Sequence, residues 1–342
     1  MSIRETILAL TAEPGPSGFE GRAAERAAEL LGPYMDEVRI DALGNVIGVR
    51  RCGKEGAKRL LLDAHLDEIG FLITGWEEGF LRFRTIGGVD ARMLPGREIT
   101  VLAGKPLRGV VISTPPHLTT KETRNKPVPV EELYIDAGLS QESAEIQIPI
   151  GTPAVFAGGC RALGEKQLCS RALDDRACFA VLLRALELLQ GEALEADLYV
   201  MGSVQEETGG RGAITGTFAV NPDLCIAVDV THGRTPDAPK ERTFALGCGA
   251  VIGVGPNMNR KMSRDLIALC KDQGIPYAIE PMAGDTGTNG WEMQIVREGI
   301  ATAILSIPLK YMHSPVETIC PDDAEAAAKL IAAYARSLKG GN

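Results

Sequence analysis

The sequence predicts an α/β protein with a small all-β unit inserted into it. Short apolar runs such as Leu60-Leu61-Leu62, Leu198-Tyr199-Val200-Met201, Leu224-Cys225-Ile226-Ala227-Val228 and Ala303-Ile304-Leu305 alternate with stretches of helical spacing, as strands alternate with helices in βα units. Between about Ile69 and Phe156 the texture changes to brief β-type runs separated by Gly and Pro, with no long helical pattern. The 342 residues, 45% hydrophobic and 24% charged, supply enough apolar material for two domains.

In chain order, Ala23, Ala27, Leu30 and Leu31 follow Ser17-Gly18-Phe19-Glu20 at the spacing of one helix face. Val38 to Val49 reads as two strands around Gly44-Asn45, and Arg59 to His65 as a buried strand. In the insert, Phe80–Arg84, Glu98–Leu102 and Leu107–Ile112 are expected strands. Thr114 to Val130, carrying Lys121, Arg124 and Lys126, is an expected exposed loop in which His117 has no part in chemistry. Ala177 to Leu189 is apolar almost throughout, hence a central helix. Asp174 and Asp175 stand at its start, where plain N-capping is the alternative to a role in chemistry. Leu198–Gly202, Leu224–Gly233 and Ala301–Pro308 are further buried strands, with His232 expected in a turn. Helices are expected over Ser263–Asp272 and Asp322–Leu338.

Composition narrows the function. A net charge of −9 without a basic cluster disfavours nucleic acid. Aromatics at 5% argue against a carbohydrate platform or a base-stacking surface. The eight cysteines are scattered without a C-x-x-C pair, which excludes ribbon and redox motifs and suggests reduced, mostly buried thiols. No apolar run approaches the ~18 residues of a membrane span, and neither end has the pattern of a targeting signal. A soluble, cytoplasmic protein is expected, with no membrane or nucleic-acid partner.

The chemistry gathers around Ser203-Val204-Gln205-Glu206-Glu207-Thr208-Gly209-Gly210, where a buried strand surfaces into a glycine-rich turn. Half-buried carboxylates are costly unless paired, hydrogen-bonded or bound to metal, so Glu206-Glu207 calls for a cation; a solvated acidic loop is the bland alternative. In a strand, His65 and Asp67 share a side, the arrangement of a metal-binding imidazole oriented by a carboxylate. His65, Glu206-Glu207, Asp229 and His313 are each expected just past the carboxyl end of an apolar strand, with Asp174 opening the helix between two of them. That edge is where α/β sheets form their ligand crevice. Mixed nitrogen and oxygen donors suit zinc, cobalt or manganese.

Pro16–Glu20, Asp63–Gly70, Ala172–Arg176, Val204–Ala213, Asp229–His232 and Tyr311–Glu317 together resemble the M42 family of di-metal aminopeptidases, over nearly the whole chain. The resemblance implies a mixed-sheet di-zinc peptidase domain formed by residues 1–68 and 157–342. It also implies a PDZ-like or barrel insert, residues 69–156, that mediates dimerisation. It implies two divalent ions, Zn or Co first and Mn next, with Asp174 bridging them through a cis peptide to Asp175. His65 and Asp229 would complete one ion, Glu207 and His313 the other. Glu206 would be the general base acting on a shared water, and Asp67 would orient His65. Peptides would be the substrates, and the assembly a homodimer or a hollow dodecamer. Asn289, where many relatives carry Asp, and Lys310, where they carry Arg, are departures that bear on substrate preference.

Two other readings compete. A glycosidase would place two carboxyls about 5–9.5 Å apart across a glycosidic bond and needs no histidine set. A catalytically silent metal-binding assembly protein would not need every ligand and base position filled, as they are here.

Overall fold

The computed structural model describes residues 1–120 and 126–339; Lys121 and Arg124 of the expected loop lie outside the described residues. Helix α1 (Ile3–Thr11) starts at Ser2, whose hydroxyl accepts from the Glu5 amide while the Glu5 carboxylate accepts from the Ser2 amide. Helix α2 (Gly21–Leu31) buries Ala23, Ala24, Ala27 and Leu31 on one face. Strands β1 (Glu37–Ile40) and β2 (Val46–Arg50) form a hairpin whose turn is held by Asp41, accepting the amides of Leu43, Gly44 and Asn45. Strand β3 (Arg59–His65) is buried from Leu60 to His65. Leu60 and Leu62 enter one core and Leu61 the core on the opposite face, as a period of two requires in a sheet covered on both sides.

The chain then leaves the sheet and closes a six-stranded barrel. Its strands are β4 (Gly70–Glu77), β5 (Phe80–Ile86), β6 (Glu98–Val101), β7 (Leu107–Ile112), β8 (Tyr134–Asp136) and β9 (Pro153–Phe156), neighbours in the order β4-β5-β8-β7-β6-β9. The register of β4 against β5 shifts between Ile73 and Gly75, a bulge of the kind that lets a short sheet curve. Inside, Phe71 stands edge-on to Phe83 and Phe156 at centroid distances of 5.4 and 5.0 Å. The all-β expectation needs one correction. Helix α3 (Gln141–Gln147), capped by Ser140, lies against the barrel and buries only Ala144, too little to leave a periodic signal. His117 is exposed in a 3₁₀ turn, Pro116–Leu118.

After a hairpin of β10 (Arg161–Leu163) and β11 (Gln167–Ser170), helix α4 (Leu173–Leu188) is buried without a break from Leu173 to Leu183. The rest of the chain is β12 (Asp197–Ser203), α5 (Arg211–Val220), β13 (Leu224–His232), β14 (Ala250–Val254), α6 (Arg260–Gln273), β15 (Tyr277–Pro281), α7 (Gly290–Met293), β16 (Ala301–Lys310), β17 (Glu317–Ile319) and α8 (Pro321–Ser337). Among the described residues one eleven-stranded sheet runs β1-β2-β12-β3-β13-β16-β17-β11-β10, with β14 and β15 branching from β16. Its centre, β12-β3-β13-β16, is parallel and its flanks are antiparallel. His232 is the exposed last residue of β13 rather than a turn residue, because that strand stays paired with β16 as far as Leu309.

One buried cation ties α4 to the N-terminal segment. Arg176, fully buried, donates to the carbonyls of Leu66, Leu10 and Glu13 and lies 3.2 Å from Glu68 Oε1, which also receives Arg171 at 2.5 Å and the Gly15 amide at 3.0 Å. Arg176→Met would strand those acceptors out of water. Removing one partner of a buried pair costs about 3–5 kcal/mol, so a loss of that order is expected in chemical denaturation.

Candidate metal centre

Separate segments bring every predicted site residue to one end of the sheet. His65 is the last residue of β3. Asp174 belongs to the first turn of α4, but neither it (φ −78°, ψ 103°) nor Asp175 (φ −122°, ψ 23°) has helical geometry, and the peptide between them is cis. Ala172, at φ 55°, occupies the cap position, so the two aspartates are not N-caps and the Asp174 carboxylate reaches His65 and His313 instead. Glu206 and Glu207 follow β12 in a turn that begins with Gln205 at φ 58°. Asp229 lies inside β13, three residues before its end, rather than past it. His313 follows β16 at φ 60°.

Asp174 is the hinge of the cluster. Its Oδ1 is 3.1 Å from His65 Nε2 and its Oδ2 is 3.5 Å from His313 Nε2. Glu207 Oε1 is 3.3 Å from His313 Nε2, whereas Glu206 Oε2 is 3.9 Å from His65 Nε2, so the adjacent glutamates serve opposite ends. His65, Asp174 and Glu207 offer donor atoms within 4.8 Å of one another, and so do His65, Asp175 and Asp229. These groups can hold a metal ion. The sequence reading gave Asp175 no part in such a set; its Oδ2 accepts the His65 amide at 3.2 Å and its buried Oδ1 has no hydrogen-bond partner.

The electrostatics follow from burial among like charges. No lysine or arginine among the described residues pairs with Asp174, Asp175, Glu206, Glu207 or Asp229. Burial pushes the Glu206 carboxyl up to about 8; His65 opposes the rise and Glu207 adds to it. Burial likewise raises Glu207, and carries Asp229 and Asp175 well above the carboxylate range. Burial works against a charged His313, but Asp174 and Glu207 outweigh it and bring the imidazole to about 11. Asp174 falls below the usual range despite burial, because His313 and His65 both donate to it. A bound divalent cation would take the place of these protons, and the mixed nitrogen and oxygen set fits zinc, cobalt or manganese.

Three supporting groups escaped the sequence reading or received too small a part. Asp67 sits beside His65, Oδ1 to Nδ1 3.4 Å, but its two carboxylate oxygens also accept the Glu206 and Glu207 amides at 3.0 Å each. The Gly88 carbonyl, from the barrel, accepts the His313 Nδ1 proton at 2.9 Å and so leaves Nε2 facing Asp174 and Glu207. Glu20 Oε1 accepts the Gly18 and Gln205 amides at 2.7 and 3.2 Å, which gives Pro16–Glu20 its place behind the glutamate turn. Asn289 is buried and donates to Asp63 and Ser203 at 2.8 Å each.

The cluster lines a cavity of about 230 Å³, together with Gly88, Gly287 and Met312. Across Met312 lies a larger cavity of about 510 Å³, lined in part by His232, Leu309 and Tyr311.

The α/β sheet thus gathers two imidazoles and a set of carboxylates, able to hold metal, at its parallel strand ends beside a closed barrel. Residues 44–330 match the family profile described as M42 glutamyl aminopeptidase, and the chain belongs to that family of peptide hydrolases. It is 38% identical over 341 residues to the lysyl aminopeptidase of Pyrococcus furiosus, covering 98% of this chain and 97% of that one. The aminopeptidase APDkam598 from the archaeon Desulfurococcus kamchatkensis superimposes with a TM-score of 0.91 at 34% identity, over 98% and 95% of the two chains. The TET1 peptidase of Pyrococcus horikoshii, described as assembling into a tetrahedron or a large octahedral shell, gives 0.86 at 34% identity over 98% and 100%.

Asp174→Ala should empty the centre of metal, since its carboxylate serves both imidazoles. Asp67→Asn should weaken metal binding roughly 10–100-fold, because the amide cannot accept both glutamate N–H groups. Elemental analysis of the purified variants checks both, and two full equivalents in Asp174→Ala would remove Asp174 from its shared position.

Proposed function

We propose that the protein removes single N-terminal residues from short peptides with two divalent ions per chain, zinc or cobalt first and manganese next. The observation that carries this is the Asp174 carboxylate, set with one oxygen toward His65 and the other toward His313. His65 and Asp229 would complete one ion site, and Glu207 and His313 the other. Bound cations supply Lewis-acid polarisation of the scissile carbonyl and acidify water. The remaining work falls to the chain. Glu206, with 19% of its side chain exposed against 5% for Glu207, is the carboxylate free to reach into the cavity. It would accept the proton of the attacking water at an Oε atom and deliver it to the leaving amine. Asp67 would hold the backbone of both glutamates so that one stays a ligand and the other stays mobile. The adjoining cavity beyond Met312 offers room for the side chain of a substrate residue.

Assembly belongs to the same proposal. The barrel, residues 69–156 taken as a domain, would mediate dimerisation within a homodimer or a larger shell. Ile146, in α3, and Ile150, shortly after it, are 73% and 61% exposed, an apolar surface suited to a second copy. A cytoplasmic location is supported by eight free cysteines, of which five are buried. Among the described residues no helix is long and apolar enough to cross a membrane.

Hydrolysis of aminoacyl-p-nitroanilides with and without added Co²⁺ or Zn²⁺, beside a cellulose-oligosaccharide control, tests the reaction class. Glu206→Gln should keep metal and fold while kcat falls at least about 10²–10⁴-fold with little change in KM. Glu207→Gln should lose metal instead. Near-normal kcat in Glu206→Gln, or metal loss there and not in Glu207→Gln, would exchange or abolish the two roles. For assembly, sedimentation of the metal-loaded protein at micromolar concentration should show a dimer or larger species, and a monomer would contradict the proposal.

A further inference from the structure

Glu317 is 2% exposed and lies in β17, four residues beyond His313. Its side chain points back into the site from behind. Oε2 accepts the amides of Leu173 and Asp174 at 2.8 and 3.2 Å, and Oε1 accepts the amide of His313 at 3.1 Å. One carboxylate therefore grips two segments that meet nowhere else in sequence, the start of α4 and the loop after β16. The platform beneath it is stiff, since Glu317 pairs with Ser170 of β11 and its strand pairs with Lys310 and Leu309 of β16. The segments it grips need holding. Ala172 and His313 both have left-handed backbone angles, φ 55° and 60°, that residues with a Cβ adopt at a cost.

We propose that Glu317 is a positioning residue that couples the shared ligand Asp174 to His313 and thereby secures the ion held by Glu207 and His313. This rests on the two-ion reading above. Asp67 does the equivalent work on the opposite side, joining His65 to the glutamate turn through the Glu206 and Glu207 amides. The two clamps divide the centre. Asp67 acts on His65 and both glutamates, whereas Glu317 acts on Asp174 and His313, and His313 has no link to Asp67. The loosening from a Glu317 change therefore falls first on the Glu207 and His313 side. His65 and Asp229 keep their anchors in β3 and β13. Glutamine cannot substitute, because it offers one acceptor oxygen and an NH₂ donor that must face either the His313 N–H or the Leu173 and Asp174 N–H pair.

The test is dialysis of the full-length wild type, Glu317→Gln and Glu317→Asp against a series of Co²⁺-buffered solutions, with metal per chain, kcat and KM measured at each free Co²⁺. Glu317→Gln should hold one ion where the wild type holds two. It should regain the second at roughly 10–100-fold higher free Co²⁺, the usual range for loss of a group that orients a ligand. The kcat should return with that ion while KM stays constant, which a general weakening of the fold would not produce. Glu317→Asp, which keeps both acceptors but retracts them by one methylene, should fall between. The proposal is overturned if a folded variant keeps both ions at wild-type free Co²⁺, if both ions leave together, or if excess Co²⁺ restores metal without restoring kcat. Failure of both variants to fold at saturating Co²⁺ also overturns it, by assigning the carboxylate to folding. A wild type that never holds two ions sinks the two-ion reading instead, a result distinct from all of these.

Discussion

The constraint on which this structure depends is the packing of like charge out of water. Asp174, Asp175, Glu206, Glu207 and Asp229 converge at the ends of β3, β12 and β13 without one lysine or arginine partner among the described residues. Two unit charges 4 Å apart cost about 4 kcal/mol even at an effective dielectric of 20. The chain offsets part of this with two imidazoles, with backbone amides aimed at carboxylates and with raised carboxyl pKa values, and a bound cation would offset the rest. The position of each neighbouring element can be traced to this demand. The Asp174–Asp175 segment departs from helical geometry at the head of α4, and Gln205 and His313 accept left-handed angles so that adjacent ligands can face inward.

The barrel is bound into this arrangement rather than merely attached to it. Its Gly87-Gly88 corner reaches the centre, and a Cβ on Gly88 would stand 2.8 Å from His313 Nδ1, where only glycine lets the backbone carbonyl approach the imidazole. A Cβ on Gly87, at φ 74°, would likewise stand 3.1 Å from Glu207 Oε2. The insert contributes no ligand, yet it fixes which nitrogen of His313 faces Glu207 and Asp174.

Support on the other side comes from the N-terminal segment. Glu20 and Ser17 reach the glutamate turn through Gln205 and Thr208, while Glu68, Arg171 and Arg176 form a buried network linking β3, α4 and the residues after α1. These contacts explain why a stretch such as Pro16–Glu20 carries motif character without offering a ligand. Its polar groups hold the segment that carries Glu206 and Glu207, Glu20 through the Gln205 amide and Ser17 through the Thr208 hydroxyl.

By itself the sequence determined the sheet core, the barrel-like insert and the identity of the clustered residues. The sheet core and the insert rest on local signals, unbroken apolar runs for doubly covered strands and Gly and Pro spacing for short antiparallel ones, whereas the clustered residues were singled out by acid or histidine near strand ends together with motifs that match the family. It left β10, β11, β14, β15 and β17 unread: β10, β11, β15 and β17 are short and lack a clean alternation, whereas β14 is an apolar run, Ala250-Val251-Ile252-Gly253-Val254, that the sequence reading passed over. It also missed α5, whose start at Gly210 and Arg211 is hidden inside a glycine-rich turn. What the tertiary structure alone decided is which groups meet. Asp67 holding two amides, Gly88 reaching His313 from the barrel and Glu317 joining α4 to the loop after β16 are contacts between residues distant in the chain. Their hydrogen bonds end on backbone atoms, which every residue possesses, so no side-chain pattern at the receiving position could have announced them.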